Sequence, residues 1–252
     1  MFINKGIDNE YKFIRSINKK QFKNMEFNIQ EFLLDLYDNN IHKDDLFFSW
    51  KNVNNNKTDI YVRKYNEENN KKISIKMGNK NSIHTEHIEK FLIYLKHNNY
   101  SKYYIDILKG YQYKDGTLNG MGSERITAKE YQNKYAKEVN DFNIKINNKD
   151  QILSFFDRFL LRGNCLESID VLIHGTPENF LYIKKKDIYN IALSHLNIKS
   201  NSIHFSFLTL QTKNANLKRC IKNEKDRHYI QIKWYNIDDI IIENMNIKTI
   251  IK

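Results

Sequence analysis

Apolar and polar positions alternate with two different periods along this chain, and the changes of period outline its elements. Residues Lys5 to Asn18 place Ile7, Ile14 and Ile17 at helical spacing, with Tyr11 and Phe13 flanking, and Glu10 falls on the same stripe. A second amphipathic helix follows from Asn28 to Tyr37, with Ile29, Phe32, Leu33 and Leu36 on one face. The run FFSWKNV (residues 47–53) then reads as a strand, and Thr58 to Tyr65 and Lys72 to Met77 read as a hairpin joined by an Asn/Glu-rich turn. The next helix is predicted to begin near Glu86 and to run through Leu95, and another covers Tyr100 to Leu108.

The glycine-bearing stretch Lys109 to Ser123 breaks the pattern and is the expected loop or boundary. Helical patterns return at Ala128 to Val139 and Lys149 to Leu161. Past Arg162 the period becomes two: Ser168 to His174 and Asn179 to Ile183 flank Gly175-Thr176-Pro177-Glu178 as a second hairpin. Ser202 to Leu210 and His228 to Tyr235 alternate as strands, and Ile240 to Ile242 is a strand-sized core segment.

The chemistry gathers on the first hairpin. Asp59 opens one strand, Lys76 closes the other, and Glu86 stands at the expected helix start. Ser74 and Lys76 are two apart, so both face away from Ile73 and Ile75. Carboxylates supply hard oxygen ligands for a small octahedral cation, and a lysine beside them can orient a water or stabilise charge on phosphorus. Glu10, inward on its helix, needs a cation or donors to stay ionised.

This arrangement resembles the PD-(D/E)xK nuclease superfamily, to which many type II restriction endonucleases belong. Fourteen residues, Ile60 to Ile73, separate Asp59 from Ser74-Ile75-Lys76, where Ser74 replaces the usual acid. Some restriction enzymes of the superfamily carry Ser-x-Lys and take the missing carboxylate from the next helix, a part that Glu86 would play here. Thr58 stands where a proline is common. The resemblance covers about the first hundred residues. It implies a restriction-endonuclease-like α/β core, a mixed sheet flanked by helices, over residues 1–110. Residues 111–252 would be an additional α+β region for DNA recognition and core completion, with one continuous domain as the alternative. It also implies Asp59, Lys76, Glu86, Glu10 and Ser74 as the catalytic set. Mg²⁺, or Mn²⁺ in its place, would be held by Asp59, Glu86, Glu10 and the main chain of Ile75.

Asp170 and Lys184 on the second hairpin imitate this constellation but lack a following helix carboxylate. Cys165 and Cys220 are too few for a disulfide framework or a cysteine zinc site, so zinc would need His84 and His87, three apart on one predicted helix. The formal charge of +11 suits a polyanionic partner, although an Asn-, Ile- and Lys-rich composition raises it without any such partner. The basic, amide-rich segment Gln211 to Lys233 is the expected recognition surface: Lys213, Lys218, Arg219, Arg227 and Lys233 toward phosphates, Gln211, Asn216 and Gln231 toward base edges. The expected activity is that of a Mg²⁺-dependent endonuclease cutting double-stranded DNA at a specific site. A palindromic target would imply a homodimer. A non-catalytic DNA-binding protein on the same fold, or a defence or toxin nuclease acting on other DNA or RNA, are the alternatives. Neither a signal-peptide pattern nor an apolar run of spanning length occurs, which points to a cytoplasmic protein without a membrane partner.

Overall fold

The structure, a computed structural model, describes residues 5–251 except 55, 79–81, 123, 164, 197–199 and 214–223. Its helices are α1 (Lys5–Ile17), α2 (Phe27–Leu36), α3 (Ile88–His97), α4 (Lys102–Tyr113), α5 (Ala128–Lys134), α6 (Ala136–Ile146), α7 (Lys149–Phe156), α8 (Lys185–Ser194) and α9 (Ile237–Ile251). Its strands are β1 (Lys20–Gln21), β2 (Leu46–Lys51), β3 (Ile60–Lys64), β4 (Lys71–Lys76), β5 (Ser82–His87), β6 (Val171–Thr176), β7 (Asn179–Lys184), β8 (His204–Phe205), β9 (Leu208–Thr212) and β10 (Tyr229–Lys233). The class is mixed α/β.

The chain divides into two compact units that interleave in sequence. Met1–Asn81, Leu160–Ile191 and Asn236–Lys252 form the first, and Ser82–Phe159 with Ala192–Tyr235 form the second. This partition differs from a division near residue 110. Two long-range pairings underlie it: β6, almost a hundred residues later, adds in parallel to β4, and β10 adds antiparallel to β5.

In the first unit the sheet order is β1-β2-β3-β4-β6-β7, and only β4 and β6 run parallel. Helices α1 and α2 flank the sheet and bury Phe13, Ile17, Ile29, Phe32, Leu33 and Leu36 against Phe47, Ile60, Val62, Ile73, Val171 and Ile173. Removing side chains of this size from water supplies about 1.5–3 kcal/mol each before entropy is counted. The buried stripe of α1 is Asn9, Phe13 and Ile17, whereas Ile7 is half exposed. The helix is thus rotated from the orientation its isoleucines suggest, because Asn9 donates to the Gly175 carbonyl (2.9 Å) and Phe13 packs edge-on against Phe180.

In the second unit β5, β10, β9 and β8 form an antiparallel sheet in that order. Its core is aromatic: Phe91, Phe155, Phe159 and Phe205 meet at ring-centroid separations of 4.7–6.1 Å, and Phe207 lies against Trp234. Expected single elements divide here. Ser202 to Leu210 is a hairpin, not one strand, because Ser206 turns with φ +52° between β8 and β9. Ala128 to Val139 spans all of α5 and the start of α6, which meet at Tyr135.

Ile240 to Ile242 lies within α9, opened by Asp238 and Asp239, and not in a strand. Ile240 and Ile241 are buried while Ile242 is exposed, as a helical turn requires. No helix among the described residues is long and apolar enough to cross a membrane.

Candidate active site

Asp59 sits one residue before β3. Its N–H donates to the Ile73 carbonyl (2.8 Å), and its own carbonyl accepts from Asn52 (3.0 Å), so the ladder carries it into place opposite Ser74. The side chain then closes a tight cluster. Asp59 Oδ2 accepts from the Ile75 N–H (2.6 Å) and from the Ser74 hydroxyl (3.0 Å), and Lys76 Nζ lies 3.6 Å away. Two neutral donors and one cation on a single carboxylate oxygen fix its rotamer. Ser74 is almost fully buried, while the Asp59 and Lys76 side chains keep 20% and 27% of their surface, enough to meet a ligand.

Residues that the sequence reading left aside join this cluster within the first unit. The β4–β6 register sets His174 beside Lys76. His174 Nδ1 lies 2.5 Å from Asp238 Oδ1 in the first turn of α9, and Nε2 lies 3.2 Å from the Gly78 carbonyl just past β4. His174 thereby ties the end of the lysine-bearing strand to α9. The signal was absent from local sequence, since the contact spans 64 residues on one side and 96 on the other.

Glu10 stands on the half-buried flank of α1, where it pairs with Lys51 at the end of β2. Lys51 is opposite Ile60, so this pair belongs to the α1-facing side of the sheet, and Asp59 and Ser74 to the other.

Glu86 is corrected in both place and partner. It lies in β5, paired with Ile230 of β10, and the helix begins two residues later with His87 as its N-cap. Sheet pairing extended the strand through residues that local pattern gave to a helix. Glu86 is 5% exposed, and Arg158 grips both its oxygens, Nε to Oε1 at 3.1 Å and a terminal nitrogen to Oε2 at 2.6 Å. His84 Nε2 is 3.3 Å from Oε1. Burial pushes the Glu86 carboxyl up, but His84 and Arg158 outweigh it and hold the group below the usual carboxylate range. Its carboxylate is therefore committed inside the second unit. His84 and His87 lie on a strand, His84 on Glu86 and His87 capping α3 through Glu89 N–H, so they form no helical zinc pair.

The imitation site is pulled apart as well. Asp170 Oδ2 accepts from the Lys72 N–H (2.8 Å), while Lys184 turns to Asp35 (2.9 Å) and Asp38 (3.3 Å).

Of the expected recognition residues, Asn216, Lys218 and Arg219 lie outside the described residues. Gln211 and Gln231 are register partners on the half-buried face of the second sheet, with Lys233 two residues along; Gln211 donates to the Tyr235 hydroxyl. Lys213 pairs with Asp226 (2.8 Å). Arg227 is an internal tie and not a free surface cation: it donates to the buried carboxylate of Asp115 (2.6 Å) and to the Gly122 carbonyl (2.9 Å).

Among the described residues no group of three or more His, Cys, Asp or Glu side chains is placed to hold a metal. The cluster offers one carboxylate, whose Oδ1 takes no hydrogen bond among the described residues, plus the adjoining main chain. That donor set fits a largely hydrated Mg²⁺, which binds through one or two carboxylates and completes its shell with water and substrate phosphate. No protein-family model and no curated protein matches this chain.

Proposed function

We propose that this chain is a Mg²⁺-dependent endonuclease on a restriction-endonuclease-like core, cutting double-stranded DNA as a homodimer. The observation that carries the reading is the Asp59 cluster: one carboxylate oxygen bonded to Ser74 and Ile75 with Lys76 at 3.6 Å, on a mixed sheet flanked by helices. The basic charge supports a polyanionic substrate.

In this reading Asp59 Oδ1 and the main-chain carbonyl of Ile75 would hold the metal, which when bound would supply an activated water and neutralise charge on the phosphate. Ser74 and the Ile75 N–H keep Asp59 in one rotamer, so no reorganisation is needed when substrate arrives. Lys76, partly exposed beside it, donates to the attacking water or to a phosphate oxygen. His174 and Asp238 hold the end of β4, and with it the height of Lys76.

The test is plasmid nicking with Mg²⁺, with a chelator control and the Asp59→Asn and Lys76→Met proteins. Cleavage that needs the metal and both side chains supports the reading. Chelator-resistant cleavage, or wild-type turnover in either variant, would overturn it. A second reading, a non-catalytic DNA-binding protein on the same fold, is favoured by one observation: Glu86 is committed to Arg158 and Glu10 to Lys51, leaving one carboxylate in the cluster. DNA binding without any nicking would select it.

A further inference from the structure

The face of the first sheet that carries Asp59 also carries aromatic rings. Trp50 of β2 and Tyr61 of β3 are register partners, stacked with centroids 5.6 Å apart and an interplanar angle of 26°. The Arg63 guanidinium lies over the Trp50 ring at 5.7 Å, and Phe48, opposite Arg63, leans on exposed Tyr65. These side chains alternate with Phe47, Ile60 and Val62, which fill the core on the other side. Cross-strand aromatic pairs stabilise sheets by themselves, so the stacking alone asks for no ligand. Two further facts do.

Arg63 is half buried and has no carboxylate partner among the described residues; its Nε is buried without a hydrogen bond. A guanidinium whose Nε is withdrawn from water, with no anion beside it among the described residues, is complementary to an anion from elsewhere. Tyr61 also stands two residues along β3 from Asp59, about 7 Å, which is the span of one nucleotide step from the reacting phosphate.

We propose that Trp50, Tyr61 and Arg63 form a stacking platform for unpaired nucleotides of the substrate strand, adjoining the Asp59–Lys76 site. Aromatic faces on a sheet take bases by stacking and tolerate any sequence, and a neighbouring arginine takes the phosphate. Bases inside a duplex are already stacked and paired, so this surface selects a single strand, or a duplex opened beside the scissile phosphate. The inference rests on the nuclease reading for what happens at Asp59, but its test does not need cleavage.

The chain has two tryptophans, and the other, Trp234, is fully buried, so Trp50 is the accessible fluorophore. The protein in EDTA is titrated with a short oligothymidylate and, separately, with the blunt duplex that strand makes with oligoadenylate. The single strand is expected to quench the emission and, by the anisotropy of a dye-labelled copy that reads every variant alike, to bind at least tenfold more weakly to Trp50→Leu and Arg63→Met. Trp50→Phe, which keeps a ring, should bind within about twofold of the wild type while losing the signal, and so controls for folding. Equal quenching by the duplex, absence of quenching, or unchanged single-strand affinity in Trp50→Leu would overturn the platform. Quenching with no Mg²⁺-dependent cleavage would keep the platform and remove the nuclease reading instead.

Discussion

At the scale of single residues, Asp59 and Glu86 show how the same functional group takes opposite parts. Asp59 keeps Oδ1 without a hydrogen bond among the described residues, and on the proposed nuclease reading Asp59→Ala or Asp59→Asn should abolish nicking while duplex binding stays largely intact, because metal and water activation would act in the transition state. Gel-shift and nicking assays on the same preparations separate the two. Ser74→Ala removes one of the two hydrogen bonds that fix Asp59, worth about 0.5–1.5 kcal/mol, so cleavage should fall by roughly tenfold or less. Glu86 works inward. Glu86→Ala leaves Arg158, itself only 13% exposed at its side chain, without its anion, and should destabilise the fold by about 3–5 kcal/mol in urea melts. The Glu86 carboxyl is held below its ordinary range in the folded state, so its contribution is present above the unfolded value of about 4.3 and is lost as pH falls through the lower folded value. Wild-type stability should therefore drop more steeply under acid than that of Glu86→Ala.

At the scale of elements, strand ends and helix caps carry the consequences. Helix α4 ends at Lys114, which takes the left-handed conformation (φ +52°) and buries its ammonium, Nζ donating to Thr212 Oγ1 (2.9 Å) of β9 over the Tyr111 ring. Burial, reinforced by the nearby Arg125, lowers the Lys114 pKa to about 7. The unfolded chain then holds this proton more tightly than the fold, with a reference near 10.4, so stability rises with pH between about 7 and 10. Lys114→Met should stabilise the protein by on the order of a few kcal/mol at pH values below 7, an advantage that fades toward pH 10. Denaturant melts across that range check it; a constant difference at every pH would show that Lys114 keeps its charge in the fold and titrates as it does in the unfolded chain.

The same scale explains the legibility of the elements. Hairpin β3–β4 could be read from alternation, because Ile60, Val62, Ile73 and Ile75 bury one face while Tyr61, Lys72 and Ser74 take the other. The helix α8 could not, since Lys185 and Lys186 open it with two cations. In the fold Asp187 and Ile188 beneath them are buried, and Lys185 bonds Ser168.

At the scale of the whole molecule, a charge of +11 makes association with a polyanion salt-dependent. Charge reversal at Lys218 and Arg219 should weaken binding to all duplexes and reduce the log–log salt slope by about one unit per lost phosphate contact. Replacing Gln231 should instead change which sequences are cut, costing about 1–3 kcal/mol per lost bidentate base contact. Titrations at several salt concentrations, with cleavage of a mixed-sequence library, distinguish these outcomes. A wild-type slope in the charge-reversed protein would remove the segment from the interface.

The sequence by itself determined the local half of this protein: α1 and α2, the β3–β4 hairpin, and the adjacency of Asp59, Ser74, Ile75 and Lys76, all encoded by short-range period and pairing across one turn. Only the tertiary structure decided the rest. The parallel addition of β6 to β4 brought His174 next to Lys76, and α9 brought Asp238 to His174. The pairing of β5 with β10 carried Glu86 out of a helix and into the grip of Arg158. The reason is physical: hydrogen-bond ladders between distant strands and ion pairs across 60 or more residues leave no periodic trace in the local sequence, yet they settle which carboxylate is neutralised inside the protein.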